Sequence, residues 1–147
     1  MSASAQDPTA LVRRFLSTVI ASQDLAAADD VLSPDYTVHM VGLPEPVAGR
    51  AAWKTLIGSY FAAFPDLRVE LDDEIAAGDR VVIRYTWSGT HRGPFAGVAA
   101  TGRPVRVAGQ SIFRVAADGV AEEWHQDDTL GLLQQLGVVA QPTAAAV

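Results

Sequence analysis

Two hydrophobic periods divide the chain. Up to about residue 64, apolar side chains recur every three or four positions; from residue 67 onward they recur every second one. Leu11, Val12, Phe15, Leu16, Val19 and Ile20 form one helical stripe, with Asp7 as N-cap and Pro8 at the first helical position. The pattern predicts a second short helix over roughly Leu25 to Leu32, stopped by Ser33-Pro34, and then a short strand from Asp35 to Val41. GLPEPVAG reads as a loop from its prolines and glycines. A third helix is predicted over about Arg50 to Phe64, carrying Trp53, Leu56, Ile57, Tyr60, Phe61 and Phe64, with Pro65 as its end.

The period-two region predicts four longer strands. Leu67, Val69 and Leu71 alternate with charged residues, and Val81, Ile83, Tyr85 and Trp87 share one face of the next strand. Val105, Val107, Gly109, Ser111, Phe113 and Val115 share a face of the third, and Ala117-Asp118-Gly119 is a hairpin turn. On the last strand alternation puts Val120, Glu122, Trp124, Gln126 and Asp128 together, and Ala121, Glu123, His125 and Asp127 on the opposite face. A short apolar helix closes the pattern near Gly137. The expected fold class is α+β: helices packed on one face of a curved, mostly antiparallel sheet, with a cavity between the layers. A single domain is expected over 1–147, with its core at about 8–137 and frayed ends, MSASAQ and AQPTAAAV.

Composition narrows the function classes. The chain is 49% hydrophobic and 19% charged, which suits a globular protein. A net charge of -6 without any Lys/Arg cluster argues against nucleic acid as a partner. No phosphate-binding glycine motif is present. The absence of cysteine excludes disulfide and thiolate chemistry and suits a cytoplasmic location. No secretory signal is expected from MSASAQDPTA, and no apolar run approaches the ~20 residues that cross a membrane.

Candidate chemistry comes from strand parity. Asp128 shares a face with Trp124 and Val120, and Ser111 points from the apolar face of the neighbouring strand. A buried carboxylate must be neutral, hydrogen-bonded or functional, and desolvation would raise its pKa towards acid/base use. The alternative is that Asp128 caps the last helix. Asp127 reads as solvated. His39 is a candidate proton carrier or a hydrogen-bonded strand residue. His91, in SGTHRGPFAG, lines the cavity mouth or pins that loop, and His125 is expected to be exposed. No histidine pair has HxxxH or HxH spacing, so no metal site is expected, and no GxSxG nucleophile motif occurs.

The segments AFPDL (Ala63 to Leu67), GDRVV (Gly78 to Val82), GTHRGPFAGVAATGRPV (Gly89 to Val105), IFRV (Ile112 to Val115) and EEWHQDDTLGLLQQLG (Glu122 to Gly137) resemble the SnoaL-like polyketide cyclases, within the nuclear transport factor 2-like superfamily. The resemblance covers roughly residues 8 to 137. It implies a cone-shaped α+β fold, a homodimer through the outer sheet face, no cofactor, and ring closure of polyketides by intramolecular aldol condensation. It implies an acid/base aspartate in a W-x-x-x-D element, here Asp128. Two positions depart from the family pattern: Ser111 stands where a histidine is common, and His39 is followed by Met40 rather than an acid. The expected mechanism has Asp128 removing a proton α to a carbonyl of a small, flat, apolar organic ligand, with Ser111, Gln126 or His39 steadying the enolate. Trp124, Trp87 and Tyr85 would wall the substrate, and Met40 and His91 complete the expected binding set. An isomerase or epoxide hydrolase in the same cavity, and a non-catalytic ligand-binding domain, remain as alternatives. The outer face, with Arg84, Thr86, Ala108, Gln110, Ile112 and His125, is expected to pair with its copy.

Overall fold

The computed structural model describes residues 6–142, so the expected fraying of the two ends falls mostly outside the described residues. Helix α1 spans Pro8–Arg14, and the Asp7 carboxylate accepts from the Thr9 amide at 3.1 Å, as its N-cap position predicts. The same stripe continues through a wider, π-helical stretch, Phe15–Ala21. There Thr18 Oγ1 donates to the Arg14 carbonyl at 2.7 Å and Ser22 Oγ to the Ser17 carbonyl at 3.1 Å. Such side-chain bonds compete with the regular helical ladder. Phe15, Leu16 and Ile20 from this stretch line the interior cavity.

The second predicted helix is shorter than expected, a 3₁₀ turn over Ala26–Asp30. Ser33-Pro34 does not follow a helix end; it lies inside strand β1, Leu32–Met40. Pro34 is tolerated there because it falls where β1 and its neighbour shift register between Leu32 and Thr37, so no ladder bond needs its missing N–H. The GLPEPVAG loop hides a two-residue strand, β2 (Val47–Ala48), antiparallel to β1. Helix α2 spans Arg50–Ala63. The four long strands follow as predicted: β3 (Arg68–Ala77), β4 (Arg80–Thr90), β5 (Pro104–Ala116) and β6 (Gly119–Asp127), then helix α3 (Thr129–Gln135).

The six strands form one mixed sheet in the order β2-β1-β6-β5-β4-β3. Only β1 and β6 run parallel; the other neighbours are antiparallel. This is the expected α+β class. Phe15 and Trp53 from the helical layer pack with Tyr36 and Phe113 of the sheet, at ring separations of 5.5 to 6.5 Å. Each fully buried side chain of this size stabilises the layered arrangement by about 1.5–3 kcal/mol. Among the described residues no helix is long and apolar enough to cross a membrane.

Strand parity holds on β5 and fails on β6. Val105, Val107, Ser111, Phe113 and Val115 are buried, as alternation predicts. On β6, Val120 is also buried and pairs with Val115, but Arg114 pairs with Glu122, leaving Ala121 as an extra residue. This bulge turns every later side chain of the strand over. Glu123, His125 and Asp127 therefore follow Val120 to the inner face, and Trp124 and Gln126 go to the outer one. The register agrees: Ser111 lies opposite His125, Val38 beside Glu123 and Met40 beside His125. His125 consequently does not belong to the outer face with Arg84, Thr86, Ala108, Gln110 and Ile112.

Candidate active site

A cavity of about 110 Å³ lies between the helical layer and the sheet. Its walls are mostly apolar, from Phe15, Leu16, Ile20, Trp53, Ile57 and Leu67. Its ionisable groups come from the sheet and from Tyr60 of α2: Tyr85 on β4 and Glu123, His125 and Asp127 on β6, with the Ser111 hydroxyl of β5 among them. No lysine or arginine lines it. A broader groove of about 470 Å³ lies on the outer face, lined by His39, Trp124, Gln126, Ile112 and the loop from Val41 to Pro46. Size does not decide between them. The desolvated cluster of titratable groups is in the smaller cavity, and such clusters mark chemistry more reliably than volume.

The inner row of β6 is a carboxylate–imidazole–carboxylate line. His125 Nδ1 lies 3.1 Å from Glu123 Oε1, and His125 Nε2 lies 3.4 Å from Asp127 Oδ2. Ser111 Oγ donates to Glu123 Oε1 at 2.7 Å, and the Tyr36 hydroxyl donates to Glu123 Oε2. The Tyr85 hydroxyl donates to Asp127 Oδ1 at 2.7 Å, and Trp87 Nε1 donates to Asp127 Oδ2 at 2.9 Å. The Ser111 and Tyr85 oxygens are each 3.2 Å from His125 Nδ1. Their hydrogens are already given to the carboxylates, so both oxygens turn lone pairs to Nδ1, and Nδ1 carries a proton.

The electrostatics follow from burial and pairing. The Glu123, His125 and Asp127 side chains are only 7, 21 and 11% exposed. Burial by itself lowers the His125 pKa, but hydrogen bonds and charge from Asp127 and Glu123 outweigh it and raise it from 6.5 to about 10. Burial pushes Glu123 up; His125 first, then Tyr36 and Ser111, bring it below the usual carboxylate value. Asp127 behaves alike: burial raises it, while His125, Tyr85 and Trp87 hold it low. The Tyr85 phenol is pushed far up by burial and by Asp127, and Tyr60 to about 12 for the same reasons. At neutral pH the row is an imidazolium between two carboxylates, with net charge of about -1 in an apolar cavity. Such a row can accept a proton at Asp127 and stabilise negative charge beside His125.

The residues singled out from the sequence divide between the two faces. Tyr85 and Trp87 line the cavity, and Met40 and Ser111 line it and the outer groove as well. Asp128 does not: its side chain is turned to solvent and accepts from the Gly131 amide at 2.9 Å as the N-cap of α3. Gly131 leaves room for that turn, since a Cβ there would lie 2.2 Å from Asp128 Oδ2. Trp124 and Gln126 line the outer groove, as does His39, whose ring stacks on Trp124 and whose Nε2 is 2.7 Å from Glu122. His91 is fully buried but away from the cavity lining; its Nδ1 accepts from the Thr101 amide at 3.2 Å and pins the loop. Asp127 and His125, read as solvated, are the buried pair instead. Glu123 is a further site residue that parity hid, and Tyr36 of β1, which the sequence did not single out, bonds to it from behind the cavity lining. The E-x-H-x-D alternation from Glu123 to Asp127 was the available signal, masked by one bulged residue. Both His125 nitrogens face carboxylates, and among the described residues no group of three or more potential ligands is disposed to hold a metal ion.

Comparison with known proteins agrees with this architecture. The structure superposes on AclR, a candidate hydroxylase from Streptomyces galilaeus, with a TM-score of 0.83 and 28% identity over 97% of this chain and 88% of that one. TsrD from Streptomyces laurentii matches at 0.79 with 31% identity over 89% of this chain and 95% of its own. IdmH from Streptomyces antibioticus, a candidate polyketide cyclase, matches at 0.78 with 28% identity over 90% of this chain and 100% of its own. No curated protein sequence matches significantly. The family model for SnoaL-like polyketide cyclases matches residues 10–136. With that match across most of its length, and 31% identity to TsrD over 89% of its residues, the chain belongs to the SnoaL-like polyketide cyclase family.

Proposed function

We propose that this protein is an acid/base enzyme acting on a small, mostly apolar carbonyl compound, with Asp127 as the proton acceptor. The observation that carries the reading is the Asp127 carboxylate, ionised inside an apolar cavity and held by Tyr85, Trp87 and His125. Asp127 removes a proton α to a carbonyl, and the resulting enolate lies beside the His125 imidazolium. Proton transfer then moves a negative charge from Asp127 to the substrate instead of creating one, and the same cation faces both positions. The enolate carbon attacks a second carbonyl of the folded substrate, and Asp127 returns the proton to the new alkoxide. Trp53, Tyr60 and Trp87 wall the substrate and hold it folded, which supplies the orientation that an intramolecular condensation needs. Proton transfers and one carbon–carbon bond complete the sequence, so no added redox group is required.

The cyclase membership and the IdmH likeness support ring closure over the isomerase and hydrolase alternatives. The outer face is read as the site of self-association. Ile112, Ile75, Leu43 and Val41 are exposed there or at its margin, more apolar surface than a free sheet face needs. A cytoplasmic location suits the cysteine-free chain.

The test is deuterium exchange. Aromatic and aliphatic 1,3-dicarbonyl compounds are incubated with the protein in D₂O, and label at the α carbon is followed by mass spectrometry. Exchange well above the buffer rate, lost in Asp127→Asn and kept in Asp128→Asn, is the expected result. Ligands that bind and come back unlabelled and unchanged would turn the reading to a non-catalytic binder.

A further inference from the structure

Tyr85 and Asp127 are hydrogen-bonded although they sit on strands that are not neighbours in the sheet. Tyr85 is on β4, Asp127 on β6, and β5 runs between them. The register explains how: Tyr85 pairs with Gly109, and Gly109 pairs with Asp127. The three residues form one row across the inner face, with a glycine in the middle. A Cβ on Gly109 would lie 2.3 Å from Asp127 Oδ1 and 2.6 Å from both Cζ and the hydroxyl oxygen of Tyr85. Both partners therefore occupy the space that any side chain at position 109 would fill.

Backbone conformation does not require this glycine. Gly109 is not among the positive-φ residues, and it lies in a continuous run of β5 paired on both sides. Its neighbours on the same face, Val107 and Ser111, carry side chains without difficulty and are buried. Glycine in a strand interior weakens the strand and commonly marks a close approach. Here the approach is between two side chains.

We infer that Gly109 is a positioning residue: it opens a window in β5 through which Tyr85 reaches Asp127 and fixes the orientation of the acting carboxylate towards His125. The inference rests on the reading of Asp127 as the acting group, but its geometry stands apart from turnover. With the window open, Tyr85 holds Oδ1 while Oδ2 takes the Trp87 indole and faces the imidazole. A methyl group in the window pushes the carboxylate away from His125, Trp87 or both. The titratable groups facing His125 are Glu123 and Asp127 from its own strand and Tyr85 from β4. Ser111 of β5 adds a hydroxyl, and Tyr36 of β1 and Tyr60 of α2 act through the two carboxylates.

The experiment uses Gly109→Ala and reads His125 by NMR titration and Asp127 by the indole N–H resonance of Trp87, one of only three tryptophans. Asp127→Asn sets the scale for losing the carboxylate. The expected result is a folded variant whose His125 midpoint drops by about one unit or more, as loss of a close opposite charge produces. The Trp87 indole signal should shift in the direction seen in Asp127→Asn. A folded Gly109→Ala with both signals as in the parent overturns the inference. If Gly109→Ala does not fold, the same substitution is made together with Tyr85→Leu and Asp127→Ala, which remove the atoms the methyl group strikes on both sides. Recovery of folding supports the window; continued failure means Gly109 serves the strand itself and overturns it. None of these readings uses a substrate, so they stay informative even if deuterium exchange fails.

Discussion

Each face of the sheet carries a glutamate–histidine pair built on β6, the outer one shared with His39 of β1. On the outer side, Glu122 lies 2.7 Å from His39 Nε2; on the inner side, Glu123 lies 3.1 Å from His125 Nδ1. The shorter distance belongs to the more exposed pair, so distance does not rank them. The His39 and Glu122 side chains are 36 and 24% exposed and Arg114 also reaches Glu122, so water and a third charge dilute the pairing. The inner pair has a second carboxylate, three hydroxyls and an indole around it, and little water. There the two acids together lift the imidazole pKa to about 10. The difference teaches that the residue pair is not the site. Desolvation, and the added carboxylate that desolvation makes costly to leave unpaired, convert a surface motif into the buried charge row on which the proposed function rests.

The largest effect that would break this comparison is on turnover. Asp127→Asn is expected to lower α-proton exchange by ~10²-fold or more, the usual contribution of a positioned base. Asp128→Asn is expected to leave exchange at the parent level, since asparagine caps a helix about as well; Asp128→Ala loses about 1 kcal/mol of stability in a denaturant titration without loss of exchange. Equal losses from the two asparagine variants would put the base elsewhere.

Removing the inner cation should have the largest effect on stability. His125→Gln leaves two buried carboxylates facing each other without a compensating charge. Breaking a buried pair costs about 3–5 kcal/mol, and the residual exposure of His125 places this case towards the lower end. His39→Gln on the outer face should stay within about 0.5 kcal/mol. Chemical unfolding of the two variants side by side decides whether burial ranks the pairs.

The pH dependence of stability sharpens the same point. The folded His125 pKa, about 10, lies above its unfolded value of 6.5. Its contribution is full below pH 6.5 and is lost as pH rises from there through about 10, because the folded state alone keeps the proton. Glu123 and Asp127 are held below 4.5 and 3.8, so their contributions are present above those values and are lost as pH falls through the folded pKa values. Stability by denaturant titration should therefore peak at mildly acidic pH, between about 4.5 and 6.5, and decline on the alkaline side. That alkaline slope should flatten in His125→Gln and persist in His39→Gln.

The smallest effect concerns the outer face alone. Ile112→Lys should reduce self-association in light scattering towards a 15.5 kDa species while leaving the His125 titration as it was. A parent protein already at that mass at tens of micromolar would remove the basis for assigning this face to a second copy.

Most of the architecture was written in the hydrophobic pattern. A stripe such as Leu11 to Ile20 can bury itself only on one side of a helix, and alternation from Val105 to Val115 can bury itself only on one face of a strand. The α+β layering, helices α1 and α2 and the four long strands follow from that, and the family resemblance agreed with it. Elements whose burial is set by neighbours were less legible. Leu32 and Ser33 are buried by entering the sheet, and β2 exists only because β1 offers it a partner.

The site was half legible. Tyr85, Trp87, Met40 and Ser111 reached the cavity because their strands keep the pattern their sequences show. Asp127 and His125 were assigned to the wrong face because one residue, Ala121, is left unpaired where β6 meets β5. Alternation counts residues, whereas a strand's facing depends on how many of them the partner strand matches. That number is settled between Arg114-Val115 and Val120-Glu122, in contacts far from local preference. The sequence by itself therefore determined the layers and the supply of ionisable groups. Tertiary structure alone decided which aspartate is desolvated, because burial belongs to the pairing of two strands and not to either one.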